Sequence, residues 1–256
     1  MSILTRILQL LYFLYAALLF LIMMIPVALF ALLVSPLGVL RGGNLIYKAC
    51  RLWGKIWFPL VGIFHENINE QPLADEGRKP YIYIVNHISW LDAALLFSVF
   101  SKPLRALGRA ETTKVPVFGF IYKNTIVSVD RSNTRARQRS VQRMKSVLRK
   151  GISVLVFPEG TFNETGQPLL PFYDGAFRIA IETATPIKPV LFLDTYARMP
   201  YYKAFSLNPG RSRAVFLPEI PVTGLTADDI PALREQAYQM MAEGLRKYEA
   251  EWIKEA

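Results

Sequence analysis

From Ile7 to Leu40 the chain carries no charged side chain, a run of 34 residues in which Gln9 and Ser35 are nearly the only polar ones. As a straight helix this run spans ~51 Å, against a bilayer hydrocarbon core of about 30 Å. It is too long for one simple crossing, and a run of this length is the exception among buried core helices. A signal peptide fits poorly, because its apolar region is roughly 7–15 residues long and ends in a small-residue cleavage site. Pro26 and the Ser35-Pro36-Leu37-Gly38 stretch are the expected bends. Arg6 precedes the run, and Arg41, Lys48, Arg51 and Lys55 follow it. Positive charge at both ends favours a bent hairpin that enters one leaflet and returns, over a plain crossing. In either geometry the richer flank keeps the rest of the chain in the cytoplasm. Tyr47, Trp53 and Trp57 suit an interfacial second leg over residues 44–64.

The expected organisation is a membrane-embedded helical segment over residues 1–64 and a cytoplasmic domain over 65–256. Residues 66–80, rich in Asn, Pro, Asp, Gly and charge, read as a boundary loop. Beyond it, short β-rich runs alternate with helical stretches. Strands are expected over 81–85, 126–129, 152–157, 187–193 and 214–217, and helices over 89–100, 133–150, 173–184 and 227–253. Such alternation predicts an α/β fold with a mostly parallel or mixed sheet flanked by helices.

Composition removes several classes of function. With 52% hydrophobic and 20% charged residues, the chain is not a disordered one. One cysteine, Cys50, permits no disulfide within the chain, and one Cys with two His permits no Cys/His zinc cluster. Walker A, G-x-G-x-x-G and G-x-S-x-G patterns are absent. The net charge is +10, and residues 131–150 hold eight Lys/Arg and no acid. This stretch reads as a solvated basic face, as a contact for anionic lipid headgroups, or as a nucleic-acid surface. Beside a membrane segment, lipid or an acidic protein partner ranks ahead of nucleic acid, and the stretch lacks the interleaved aromatics that stack on bases.

With two histidines, the acid–base options are few. His65 lies near the presumed interface and reads as structural. His87, in Asn86-His87-Ile88-Ser89-Trp90-Leu91-Asp92, directly follows the expected strand 81–85, where α/β sites gather. Ser89-x-x-Asp92 before an apolar run is also a capping-box pattern. Asp92 therefore has two readings. It caps a helix, or its carboxylate holds one ring nitrogen of His87 so that the other serves as a general base. The strand over 152–157 ends in Phe157-Pro158-Glu159-Gly160-Thr161, a tight turn whose backbone N–H groups suit an anion. Glu159 is either part of an ordinary turn or a ligand for a polyol hydroxyl.

Taken in order, Asn86-His87-x4-Asp92, then Arg109-Ala110-Glu111 with Pro116-Val117-Phe118-Gly119 and Val129-Asp130-Arg131, then Phe157 to Thr161, then Ile187-Lys188-Pro189-Val190, resemble the glycerolipid acyltransferase family. The likeness is nearest to bacterial 1-acyl-glycerol-3-phosphate acyltransferases and covers roughly residues 80–195 and the N-terminal hairpin. It implies a glycerol-3-phosphate acyltransferase-like fold, with His87 as catalytic base and Asp92 as its partner. It further implies that Arg109, Arg131, Glu159, Gly160 and Thr161 bind the acceptor, Arg109 standing where the family usually has lysine. Pro189 matches a block on the acyl-donor side. The implied reaction moves an acyl group from a thioester to the sn-2 hydroxyl of lysophosphatidic acid, giving phosphatidic acid. No metal and no cofactor are expected, only acyl-coenzyme A or acyl-acyl-carrier-protein as co-substrate. The implied partners are membrane lipid, a lysophospholipid acceptor and the carrier, and the implied place is the cytoplasmic face of a bacterial inner membrane. Two departures stand out: Phe162 where the family usually has arginine or serine, and Tyr173-Asp174 where it usually has a basic pair. They keep open an acyltransferase for another lysolipid, such as a lyso-ornithine lipid. A non-enzymatic membrane lipid-binding protein is the alternative of a different class.

Overall fold

The computed structural model describes residues 3–71, 79–115, 118–129, 134–203 and 206–254. The chain opens with a helical hairpin. Helix α1 (Ile3–Val34) runs unbroken through Pro26, the chain reverses over Ser35–Leu37, and α2 (Gly38–Leu60) returns. Of the two expected bends, only the second reverses the chain. Gly38 has φ +82°, a left-handed value that a side chain would strain. The second leg starts earlier than expected, at Gly38, and already ends at Leu60.

Aromatic packing closes the hairpin. The Phe20 ring meets Trp53 and Trp57 edge-on at 5.0 and 5.7 Å, and the two tryptophans stack at 5.5 Å. The Trp57 indole N–H donates to the Ala16 carbonyl at 3.1 Å, whereas the buried Trp53 indole N–H has no partner among the described residues. The opposite side of α1 is bare: Leu18, Leu21, Ile25, Leu29 and Leu33 are each more than half exposed. The helix is long and apolar enough to cross a membrane, and such a surface fits an anchor in lipid.

Seven strands follow: β1 (Ile63–Asn69), β2 (Ile82–Val85), β3 (Leu104–Arg109), β4 (Ile126–Val129), β5 (Ser153–Val156), β6 (Ile187–Phe192) and β7 (Gly210–Phe216). They form one sheet in the order β1-β7-β6-β2-β5-β3-β4. All neighbouring pairs are parallel except β6–β7. Between them lie α3 (Asp92–Val99), α4 (Phe118–Thr125), α5 (Thr134–Arg149), α6 (Gly175–Glu182) and α7 (Thr195–Arg198), and α8 (Ile230–Lys247) closes the chain. The mixed α/β sheet flanked by helices is the expected class. Strands β1 and β3 and helices α4 and α7 lie outside the expected elements, and β1 runs into the stretch read as a boundary loop.

Alternation within β2 shows how the sheet divides two cores. Tyr83 and Val85 join the hairpin, α3 and Leu155 on one face. Ile82 and Ile84 join Met144 of α5, Phe177 of α6 and Met241 of α8 on the other. All four β2 residues are buried, as a strand covered on both faces requires. The hairpin and the basic helix α5 therefore sit on opposite faces of the sheet. One side chain ties the hairpin to the sheet from within. Arg105 of β3, 1% exposed, donates through Nη2 to the Val39 carbonyl and to Asn44 Oδ1 at 2.8 and 2.9 Å. Burial lowers its pKa to about 10.

Candidate functional site

The site forms where parallel strands β2 and β5 end side by side. Their ladder pairs Ile82 with Val154 and Ile84 with Val156, so the loops that follow, with His87 and Glu159, emerge together. Asn86 fixes the first loop on its other flank. This buried amide accepts from Phe192 N–H at 2.8 Å and donates to the Phe192 carbonyl at 3.0 Å, extending the contact with β6 past the last ladder pair.

His87 Nδ1 lies 2.8 Å from Asp92 Oδ2. The same oxygen accepts the backbone N–H groups of Ile88 and Ser89, each at 2.9 Å. A carboxylate oxygen only accepts, so Nδ1 carries the ring proton and the neutral ring keeps its lone pair on Nε2. Among the described residues Nε2 has no partner, and the side chain is 20% exposed. Asp92 is fully buried, at 0%. Asp92 makes both sets of contacts at once: it opens α3, accepting backbone donors there, and it holds the His87 ring nitrogen. The expected capping box is only half made. The Ser89 hydroxyl instead donates to the Met199 carbonyl and accepts from Leu91 N–H.

Aromatic rings frame the imidazole. Phe157 stacks on it at 4.1 Å with an interplanar angle of 19°, Phe162 tilts against it at 4.3 Å, and Trp90 meets Phe162 edge-on at 4.8 Å. Sequence reasoning passed over these contacts, because an aromatic in a loop looks the same whether it packs on a base or on solvent.

The turn after β5 is built as its residues suggest. Gly160 N–H donates to the Phe157 carbonyl at 3.0 Å, with Pro158 at the second position of the turn. Gly160 has φ +73°, which favours glycine there. Thr161 is exposed, while Glu159 is 2% exposed with both carboxylate oxygens turned inward. Oε1 accepts His87 N–H at 2.9 Å and Oε2 accepts Leu170 N–H at 2.8 Å. Burial raises its pKa to about 7, outweighing the two amide donors that lower it. Arg109 ends β3, at the same carboxyl edge of the sheet. Arg131 lies outside the described residues, as does Asp130. Pro189 sits in β6 opposite Ile84. His65, on β1, bonds Asn67 at 2.7 Å and lies near Ser212 at 3.3 Å, away from these loops; burial lowers its pKa.

An apolar cavity of about 390 Å³ begins beside this loop. Trp90 and Leu91 line it together with Phe20 and Trp53 of the hairpin, Phe97 of α3 and Tyr122 of α4. Its size falls within the range of small-molecule sites, roughly 300–1,000 Å³. The arrangement offers an imidazole of fixed tautomer, a turn with Thr161 exposed, and an apolar chamber beside the same loop.

Comparison with known proteins agrees with the fold. The fold is similar to the crystal structure of the 1-acyl-sn-glycerophosphate (LPA) acyltransferase PlsC from Thermotoga maritima, with a TM-score of 0.78 over 97% of this chain and 99% of that one, at 23% identity. In sequence, the chain is 29% identical over 197 residues to the chloroplastic 1-acyl-sn-glycerol-3-phosphate acyltransferase of Brassica napus, covering 76% of this chain and 54% of the relative. It is 29% identical over 165 residues to the human 1-acyl-sn-glycerol-3-phosphate acyltransferase alpha, covering 64% and 58%. The chain thus spans a little over half the length of these two relatives. Residues 63–193, from β1 through β6 and so including both site loops, match the family model described as Acyltransferase, and the chain belongs to that family.

Proposed function

We propose that the chain transfers a fatty acyl group from an acyl thioester to the sn-2 hydroxyl of 1-acyl-glycerol-3-phosphate, giving phosphatidic acid for phospholipid synthesis. The observation that carries this reading is the His87–Asp92 pair, held in a loop whose Trp90 and Leu91 line an apolar cavity. His87 Nε2 takes the proton of the acceptor hydroxyl as that oxygen bonds to the thioester carbonyl carbon. Asp92 stabilises the imidazolium. The tetrahedral intermediate collapses, the C–S bond breaks, and the imidazolium returns its proton to the leaving thiolate. The substrate hydroxyl is the nucleophile, so no acyl-enzyme forms and no cofactor is needed beyond the thioester. Gly160, Thr161, Arg109 and Arg131 hold the acceptor headgroup in this reading, and the cavity takes an acyl chain.

Lysolipid and product both live in a bilayer, so the exposed apolar side of α1 is a fitting anchor, with the domain at the cytoplasmic face of a bacterial inner membrane. The donor arrives on coenzyme A or an acyl carrier protein. The exposed Arg139, Arg143 and Arg149 of α5 suit an acidic carrier, because the hairpin lies on the other face of the sheet. Charge reversal at these three residues should slow transfer from the carrier protein about tenfold or more and leave transfer from coenzyme A unchanged. Equal loss with both donors would remove this docking role.

A second acceptor class has its own support. Phe162 packs on His87, and Asp174 is paired with Arg234 at 2.7 Å, so neither position offers a cation to a phosphate. A lysolipid with another headgroup, such as a lyso-ornithine lipid, fits that surface. The deciding experiment offers detergent-purified protein a panel of lysolipids with both donors, with His87→Ala alongside. Phosphatidic acid from the wild type alone supports the first reading. Transfer to another lysolipid keeps the mechanism and changes the acceptor. A folded protein that acylates nothing points instead to lipid binding without catalysis.

A further inference from the structure

The loop after β5 grips His87 at three points. Glu159 Oε1 accepts the His87 backbone N–H at 2.9 Å, the His87 carbonyl accepts Asn163 N–H at 2.9 Å, and Phe157 and Phe162 pack on the ring. The register explains why the grip is needed. The last β2–β5 pair is Ile84 with Val156, so the His87 amide has run past the strand that would supply its acceptor. A buried N–H left without an acceptor is costly. Glu159 supplies the missing acceptor with one oxygen, and with the other it ties Leu170 N–H, eleven residues on.

Glu159 stands in the segment that the family resemblance assigns to the acceptor, yet its carboxylate is 2% exposed and each oxygen already receives a backbone donor. We propose that Glu159 is a positioning residue that sets the orientation of His87 through the backbone and does not touch the acceptor. The proposal rests on the reading of His87 as the base. The chemistry also says why the residue is a carboxylate. Both neighbours are N–H donors, and a glutamine would have to turn its own NH₂ group against one of them.

The test compares wild type, Glu159→Gln, His87→Ala and the double variant in mixed micelles of 1-acyl-glycerol-3-phosphate with acyl-coenzyme A. Thermal melting is followed so that all rates are taken on folded protein. If Glu159 works through His87, Glu159→Gln lowers kcat by up to about 100-fold, the cost of a small misplacement of a reacting group, and leaves the acceptor KM within twofold. In the His87→Ala background the same change then costs nothing more, because the two act as a unit. A rise of tenfold or more in acceptor KM at unchanged kcat, or full additivity in the double variant, overturns the proposal. Glu159→Asp, which keeps the carboxylate and shortens its reach, replaces the Gln variant at any temperature where the latter unfolds. A readout without turnover is the proton resonance of the His87 Nδ1–H···Asp92 bond, assigned by its loss in His87→Ala. It should shift or broaden in Glu159→Gln, and an unchanged resonance would count against the proposal even if no acceptor were turned over. Wild-type activity in His87→Ala would instead defeat the reading of the base, a distinct result.

Discussion

At the scale of single residues, Asp92 shows how one carboxylate opens a helix and holds the His87 ring together. Its Oδ2 receives three donors, and its Oδ1 is buried without a partner. An asparagine can place its carbonyl where Oδ2 was and its NH₂ where Oδ1 was, so Asp92→Asn should fold. It should lose roughly 10²–10⁴ in turnover, because a neutral amide does not stabilise the imidazolium. Asp92→Ala abandons all three donors, two of them backbone, and should also lower the melting temperature. Circular dichroism beside acyl-transfer rates separates the two variants. Glu159 gives a pH prediction. Burial holds its folded pKa at about 7 against an ordinary 4.5, so between those values the native chain keeps a proton that the unfolded chain has released. Its contribution to stability is therefore greatest below pH 4.5 and declines as pH rises through 7, by roughly 3 kcal/mol in all. Denaturant titrations from pH 5 to 8 should show that decline in the wild type and a flatter profile in Glu159→Gln.

At the scale of elements, the hairpin is held to the domain by close backbone approach as well as by apolar contact. Gly43 of α2 lies where an added Cβ would stand 2.5 Å from the Asn124 carbonyl oxygen of α4 and 2.7 Å from Arg105 Nη2. Gly43→Ala must push α2 off α4 and disturb the bonds from Arg105 to Val39 and Asn44. Overpacking of this kind costs about 1–3 kcal/mol, more than the ~1 kcal/mol that alanine gains in helix propensity. A fall of several degrees in melting temperature is expected, and an unchanged or higher value would show that the helices have room to spare. The same region explains two strands that sequence reasoning overlooked. Strand β3 carries Arg105, a charge that argues against a buried strand until the hairpin's carbonyl and amide oxygens are seen to receive it. Strand β1 reads His-Glu-Asn-Ile-Asn over its last five residues and is mostly exposed; it exists because its seven residues pair with β7, more than 140 residues away in sequence.

At the scale of the whole molecule, the two faces of the sheet do different work. One carries the hairpin and, between hairpin and α3, the apolar cavity; the other carries α5, α6 and α8. The loop that carries His87 lies at the carboxyl edge of the sheet, and its Trp90 and Leu91 line that cavity. Lysines placed at Leu18 and Ile25, both more than half exposed on α1, should release the protein from phospholipid vesicles in a flotation assay, since each charge carried into hydrocarbon costs several kcal/mol. Replacing residues already buried within the hairpin would test packing instead, so retention on vesicles with both lysines present would mean that α1 does not enter the bilayer.

Local physics reached far along this chain. The uncharged run had to be hidden from water, the alternation of apolar runs had to make an α/β sheet, and Ser-Pro-Leu-Gly had to turn. Each of these follows from neighbours in sequence, and so does the proximity of His87 to Asp92, five residues apart. What the sequence could not settle was every partnership made across the sheet. That Glu159 turns inward to the His87 amide and that Phe157 and Phe162 frame the ring depend on strands separated by some 70 residues being laid side by side, and that Trp53 shares a cavity with Trp90 depends on the hairpin packing against α3 and α4. A side chain's chemistry is written in the sequence, but its direction and its partners are set by register, and register is decided only when the two faces of the sheet are buried at once.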